Sequence, residues 1–219
     1  MKRALPLALL AALALVHLAA LGAGWDTAAT ATKPLLMPLL AWFTAIAARP
    51  PLRTPLIAAV LFGWAGDVLL QLPAEAAFLG GMGAFALGHL RYEVTAIRHG
   101  SWRTRKVAIA ACAYAVVWAA VLVALWPGLP GPLRAPVAVY SLLLTATAVL
   151  TVGVNVRAAA GGALFLISDT LIATGIAHTW RPPAVDVWIM ATYVAAQYLL
   201  VTGFLAHTPS HKKEPLAVA

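Results

Sequence analysis

Two aspartates stand inside long apolar runs: Asp67 in "LFGWAGDVLLQL" and Asp169 in "LFLISDTLIATG". An ionisable side chain at the centre of a membrane helix costs about 2.5 to 3.5 kcal/mol on insertion scales, so such a residue is a functional-site hypothesis by default. Burial disfavours the charged form of a carboxyl, and two carboxyls held close together resist ionising at once. One can then keep its proton at neutral pH while the other is ionised, which puts an acid and a base in one site. Spacing alone does not bring the two side chains together. The alternative is a pair of separate structural aspartates bonded to Ser or backbone groups.

Other polar residues gather on neighbouring segments. Phe78, Gly81, Phe85, His89 and Tyr92 fall on one helical face, and Tyr193 and Gln197 lie one turn apart. Gly63 and Gly66 share the face of Asp67, while Gly162, Phe165 and Ser168 share that of Asp169. Small residues there are expected to let these two helices approach closely. Lone His17 suits a neutral imidazole bonded to a backbone carbonyl. Arg91 and Glu93, near a segment end, are expected to snorkel or to pair with loop charges. The buried histidines are scattered singly with no His-x-x-x-His pair, and hydrolytic metal sites usually take three protein ligands, so no metal is expected.

The elements that must position these groups are membrane helices. With 63% hydrophobic residues, 10% charged residues and a mean hydropathy of +0.89, the chain cannot form the outside of a water-soluble globule. The net charge of +8 resides in short loops between apolar runs, which is the pattern that orients membrane helices and not one that binds nucleic acid. Cys112 is the single cysteine, so no intramolecular disulfide forms.

A helix needs roughly 17 to 25 mainly apolar residues to span a bilayer. Eight segments qualify: about 4–24, 33–49, 54–72, 76–97, 105–126, 133–153, 157–178 and 184–206. Between them stand "GWDTAATATK", "RPPLR", "PAE", "RHGSWRTRK", "WPGLPGP", "NVR" and "TWRPP". Residues 1–219 therefore read as one all-α domain, a polytopic bundle of eight transmembrane helices with no internal repeat. The first segment follows a basic start, but its apolar run is longer than the usual 7 to 15 residues of a signal-peptide core, so an uncleaved helix is expected. Lys2, Arg3, Arg49, Arg53, Arg98, Arg103, Arg105, Lys106, Arg157, Lys212 and Lys213 share one side, against Lys33, Arg134 and Arg181 on the other. That asymmetry predicts both termini in the cytoplasm.

In order along the chain, "TKPLLMPLL", "GWAGDVLL", "FLGGMGAFALGHLRYEV", "GGALFLISDTLIA" and "YVAAQYLLVTG" resemble the YhhN-like family of membrane lysoplasmalogenases. The resemblance implies an eight-helix enzyme of the bacterial-type inner membrane that hydrolyses the vinyl ether of lysoplasmalogens without a known cofactor. Products would be a fatty aldehyde and glycerophosphoethanolamine or glycerophosphocholine. It maps the family's two important aspartates onto Asp67 and Asp169. The more apolar neighbours of Asp169 point to it as the acid, and the reverse assignment of roles stays open. His89, Tyr92, Ser168, Tyr193 and Gln197 become candidates to position water or the glycerol hydroxyls, and Lys33, at the outer mouth of its segment, either meets a lipid phosphate or is an interfacial lysine that snorkels. Segment 6 follows the family less closely, with Thr145 and Thr147 near an expected methionine. The expected partners are a lysophospholipid and the bilayer, and no oligomeric state follows. Two other readings use the same residues differently: a proton-coupled transporter of small molecules or lipids, and a scaffold whose polar groups only join helices.

Overall fold

The computed structural model describes residues 3–207, so Lys2, Lys212 and Lys213 of the charge count lie outside the described residues. Eight α-helices follow one another: α1 Ala4–Ala23, α2 Asp26–Ala47, α3 Arg53–Leu69, α4 Glu75–His99, α5 Arg105–Leu125, α6 Gly131–Val152, α7 Val156–Ile176 and α8 Val185–Ala206. Five of them, α1 and α5 to α8, are long and apolar enough to cross a membrane. The other three are short of that standard for identifiable reasons. α3 has only 17 residues, and α2 and α4 spend positions on Asp26, Lys33, Arg91 and Glu93. The chain is a multi-pass membrane protein.

The largest departure from the sequence reading is the start of α2. The stretch "GWDTAATATK" was expected to be a break with its helix beginning at residue 33; the break is only Gly24 and Trp25, and the helix begins at Asp26. Gly24 closes α1 in the left-handed region at φ 68°, with the Trp25 N–H reaching back to the Ala20 carbonyl at 2.8 Å. Asp26 in the first turn of α2 then complements the positive end of that helix. Lys33 consequently lies about two turns inside α2 and not at its mouth.

α2 also carries Pro34 and Pro38 within its length. Pro38 has no N–H to give to the Pro34 carbonyl one turn back. The Trp64 Nε1–H fills that place at 2.9 Å, fastening α3 to α2 beside Lys33.

α7 and α8 form the most intimate pair. A Cβ at Gly161 would stand 2.7 Å from the Leu200 nitrogen, and one at Gly203 would stand 2.5 Å from the Ala158 nitrogen, so both positions exclude side chains. Asn155 locks the same end: its Oδ1 accepts from the Ala158 N–H at 2.9 Å, capping α7, while its Nδ2 donates to the Gly203 carbonyl at 2.8 Å. α6 lies against α4, α5 and α7, and α5 packs mainly along α6. The expected close approach of α3 to α7 does not occur. Gly66 accommodates the Phe85 ring of α4, Gly63 faces α8, and Gly162 faces α6. Residues of both α3 and α7 line a cavity.

Candidate active site

Asp67 and Asp169 both line this cavity, which has a volume of about 530 Å³ and walls drawn from α2 to α8. Asp67 is 2% exposed, held by α3, and accepts a hydrogen bond from the Tyr193 hydroxyl at 2.7 Å. Lys33 Nζ stands 3.7 Å from its other oxygen. Asp169, half-buried on α7, accepts from the Tyr140 hydroxyl at 2.6 Å. Each carboxyl therefore has a phenol donor, and Asp67 alone has a cation.

The surroundings of these two acids are otherwise apolar. Phe78, Met82 and Phe85 of α4, Val121 and Leu122 of α5 and Leu144 of α6 line the walls. Phe85, Phe165 and Tyr193 meet edge to face with ring centroids 5.4 to 6.1 Å apart, an arrangement that fixes the Tyr193 ring under Asp67. Gly63 permits it. A Cβ there would come within 3.3 Å of the Tyr193 hydroxyl and 2.7 Å of Gln197 Nε2.

A second hollow of about 650 Å³ adjoins the first at the end of the bundle where α2 and α8 begin. Its lining is more polar, with His17, Asp26, Thr30, Gln71, Arg181 and Asp186. Lys33, Leu171, Ile172, Ile176, Ile189 and Met190 border both spaces. A polar hollow thus lies beside an apolar chamber, with Lys33 lining both and the two carboxyls lining the second.

The residues that the sequence marked do not all belong to this site. Ser168 borders the cavity but donates its hydroxyl hydrogen to the Ile189 carbonyl at 3.0 Å, joining α7 to α8. His89, Tyr92 and Gln197 lie outside the cavity lining, although all three are buried. The Tyr92 hydroxyl donates to Gln197 Oε1 at 2.8 Å, behind Tyr193. His89 turns the other way, its Nδ1 3.1 Å from the Thr147 hydroxyl, which donates to Glu93 at 3.0 Å. Glu93 therefore does not snorkel as expected. It is buried at 9% exposure beside Thr147, while Arg91 one position before Tyr92 is exposed. His17 Nδ1 lies 2.8 Å from the Thr32 hydroxyl.

Tyr140 escaped the sequence reading, as did Tyr114 and Trp118, which face the cavity from α5. The signal was present: a phenol inside an apolar helix needs a hydrogen-bond partner, and segment 6 offers none of its own to Tyr140. Among the described residues no three His, Cys, Asp or Glu side chains converge as a metal site would require. No curated protein and no solved structure matches the chain. The model of the YhhN family, by contrast, matches residues 28–204, a span that holds Lys33, Asp67, Tyr140, Asp169 and Tyr193 together, and the chain belongs to this family of lysoplasmalogenase-like membrane proteins.

Proposed function

We propose that the protein is an intramembrane hydrolase that cleaves the vinyl ether bond of lysoplasmalogens, with Asp169 and Asp67 as its acid and base. The observation that carries this reading is that two carboxyls from distant segments border one apolar chamber, which shares Lys33 and five apolar residues with a more polar vestibule beside it. A single-chain lipid has the matching shape: its chain fits the chamber and its headgroup the vestibule. The vinyl ether, next to the glycerol, then lies near the boundary. Family membership supports the substrate class.

The chemistry follows from the bond. Asp169, whose partner is a neutral phenol, carries the proton and delivers it to the β-carbon of the vinyl ether, leaving an oxocarbenium ion. Asp67, beside the Lys33 ammonium, is the carboxylate that stabilises this cation, much as carboxylates do in glycosidases. Water adds to the cationic carbon and gives its proton to Asp67. The hemiacetal then collapses as Asp67 returns a proton to the departing glycerol oxygen and Asp169 takes the hydroxyl proton, releasing the aldehyde. Both acids regain their starting states, and no redox partner is consumed. Tyr140 and Tyr193 hold the carboxyls in place throughout.

The arginine and lysine distribution supports an orientation with both termini in the cytoplasm of a bacterial-type inner membrane. The test is aldehyde release from lysoplasmenylethanolamine by purified wild type and by the Asp67→Asn and Asp169→Asn variants. Normal turnover in both variants would sink the paired-carboxyl mechanism. A second reading, a proton-coupled transporter, draws on the proline-interrupted α2 that holds Lys33 against Asp67. Proton uptake in proteoliposomes, without aldehyde release, would favour it.

A further inference from the structure

At the end of the bundle opposite the vestibule lies a third hollow of about 400 Å³. It opens between the start of α1, the α2–α3 turn, and the C-terminal ends of α4 and α8. Arg3, Arg49, His99 and His207 supply its polar lining, and Leu52 and Phe204 are among its apolar walls. Among the described residues no carboxylate borders it. The ion pairs among the described residues, Lys33 with Asp67 and Arg181 with Asp186, lie elsewhere. Of the remaining described acids, Asp26 and Glu75 begin helices at the far end, Asp169 faces the central cavity, and Glu93 is bonded to Thr147.

Three helices end near this hollow, and their terminal carbonyls attract cations for that reason alone. At two of the three ends other side chains already meet that demand. Arg53 Nε donates to the Ala48 carbonyl at 3.0 Å behind α2, and His207 Nε2 donates to the His99 carbonyl at 2.7 Å behind α4. Arg3 and Arg49 are additional, and neither takes part in those ion pairs. Arg3 and Arg49 are exposed and border one space, and guanidinium forks grip phosphate oxygens with charge-assisted hydrogen bonds. Basic pockets between helix ends at the membrane boundary bind anionic lipid headgroups on the same physical grounds. The apolar floor formed with Phe204 and Leu52 suits the glycerol and acyl start of such a lipid better than bulk water.

We propose that this hollow is a binding site for a phosphate group, gripped by Arg3 and Arg49 with His99 and His207 beside them, and separate from the candidate active site. Anionic phospholipid and soluble phosphate share that chemistry, and the experiment separates them. Full-length protein in detergent is mixed with phosphatidylglycerol or phosphatidylcholine, and bound lipid is counted by native mass spectrometry, with and without inorganic phosphate as competitor. Retention of phosphatidylglycerol over phosphatidylcholine by about tenfold or more is expected from two basic side chains at an anionic headgroup. That preference should disappear in the Arg3→Gln/Arg49→Gln variant and persist in Arg53→Gln, whose side chain serves a carbonyl.

If inorganic phosphate raises the melting temperature of wild type more than chloride of equal ionic strength does, and the double variant loses the effect while phosphatidylglycerol shows no preference, the site is for soluble phosphate. Equal retention of the two lipids together with no phosphate effect on melting overturns the proposal. So does an undiminished lipid preference in the double variant. Aldehyde release by the double variant should match wild type, and because the binding readouts need no turnover, their outcome is independent of the hydrolase reading.

Discussion

At its Val156 end α7 has no room beside it: Gly161 lies against the Leu200 backbone, Gly203 of α8 lies against Ala158, and Asn155 bonds across the seam. At its Ile176 end the same helix borders two hollows, and Asp169 faces one of them. The contrast teaches how a membrane bundle affords an internal cavity. Apolar side chains gain little by leaving lipid for one another, so cohesion comes from close backbone contact at small residues and from interhelical hydrogen bonds. One end of α7 supplies that cohesion, which leaves the other end free to hold unpacked space around a carboxyl.

Substitutions at the two ends should therefore fail in different ways. Asp169→Asn keeps the shape but removes the acid, and should lower turnover by about 100-fold or more without lowering the melting temperature, because general acid–base groups contribute about 10² to 10⁴. Asp67→Asn should lower turnover similarly. A melting transition that drops in step with activity would show the carboxyl to be structural. Gly161→Val addresses the other end. Its new side chain meets the Leu200 and Ala196 backbone, which cannot turn aside, so a loss of about 1 to 3 kcal/mol in stability is expected from overpacking, read by thermal unfolding in detergent. Turnover per folded molecule should survive. If it falls as far as in Asp169→Asn, the two ends are not independent.

Between these extremes stand the two phenols. Tyr140→Phe and Tyr193→Phe each remove one hydrogen bond to a carboxyl while leaving the ring; such a bond is worth about 0.5 to 1.5 kcal/mol to a neutral group and about 1.5 to 3 kcal/mol to a charged one. Roughly tenfold or greater loss of kcat is expected, with KM nearly unchanged because neither phenol is assigned to the headgroup. A change confined to KM would instead place the hydroxyls on the substrate. The two variants also separate the acids. Tyr193→Phe leaves Asp67 its Lys33 partner, whereas Tyr140→Phe leaves Asp169 without a polar partner, so the second should be the more damaging.

The parts of this arrangement that the sequence disclosed are those that hydrocarbon penalises one residue at a time. Asp67 and Asp169 stood out because a carboxyl in an apolar run needs a reason, and seven of the eight helices kept their expected limits within three residues because an apolar run must begin and end near the interface. α2 was misjudged because "DTAATAT" is polar enough to read as a loop, although a Gly turn before it and Asp26 at its start suffice to begin a helix. That error moved Lys33 from the mouth of the helix to the side of Asp67. Tyr140 was missed for a different reason: a tyrosine in a membrane helix has an ordinary apolar use, and only its neighbour across the cavity shows what its hydroxyl does. His89, Tyr92 and Gln197 formed a convincing stripe, but helical periodicity identifies a face and not the depth at which a cavity ends.

The smallest expected effect concerns α5, whose two faces repeat the contrast of packed and open space in another form. Its outer face, with Ile109, Val116 and Val123, is 59 to 73% exposed, while Val121, Leu122 and Trp118 turn inward to the chamber. Because α5 packs mainly along α6, it can shift to admit a larger inward side chain at modest cost. Val121→Trp should then shorten the space for a lipid chain without disturbing either carboxyl. Turnover of long-chain lysoplasmalogen should fall a few-fold relative to a short-chain one, within the range by which hydrophobic pockets discriminate by size. Val116→Trp, which adds the same bulk toward lipid, should leave that ratio unchanged. If both variants alter the ratio equally, chain selection belongs to the surrounding bilayer and the chamber does not hold the chain. If neither does, the chain lies outside the space bounded by α5, and the substrate must enter the site from the vestibule by its headgroup alone.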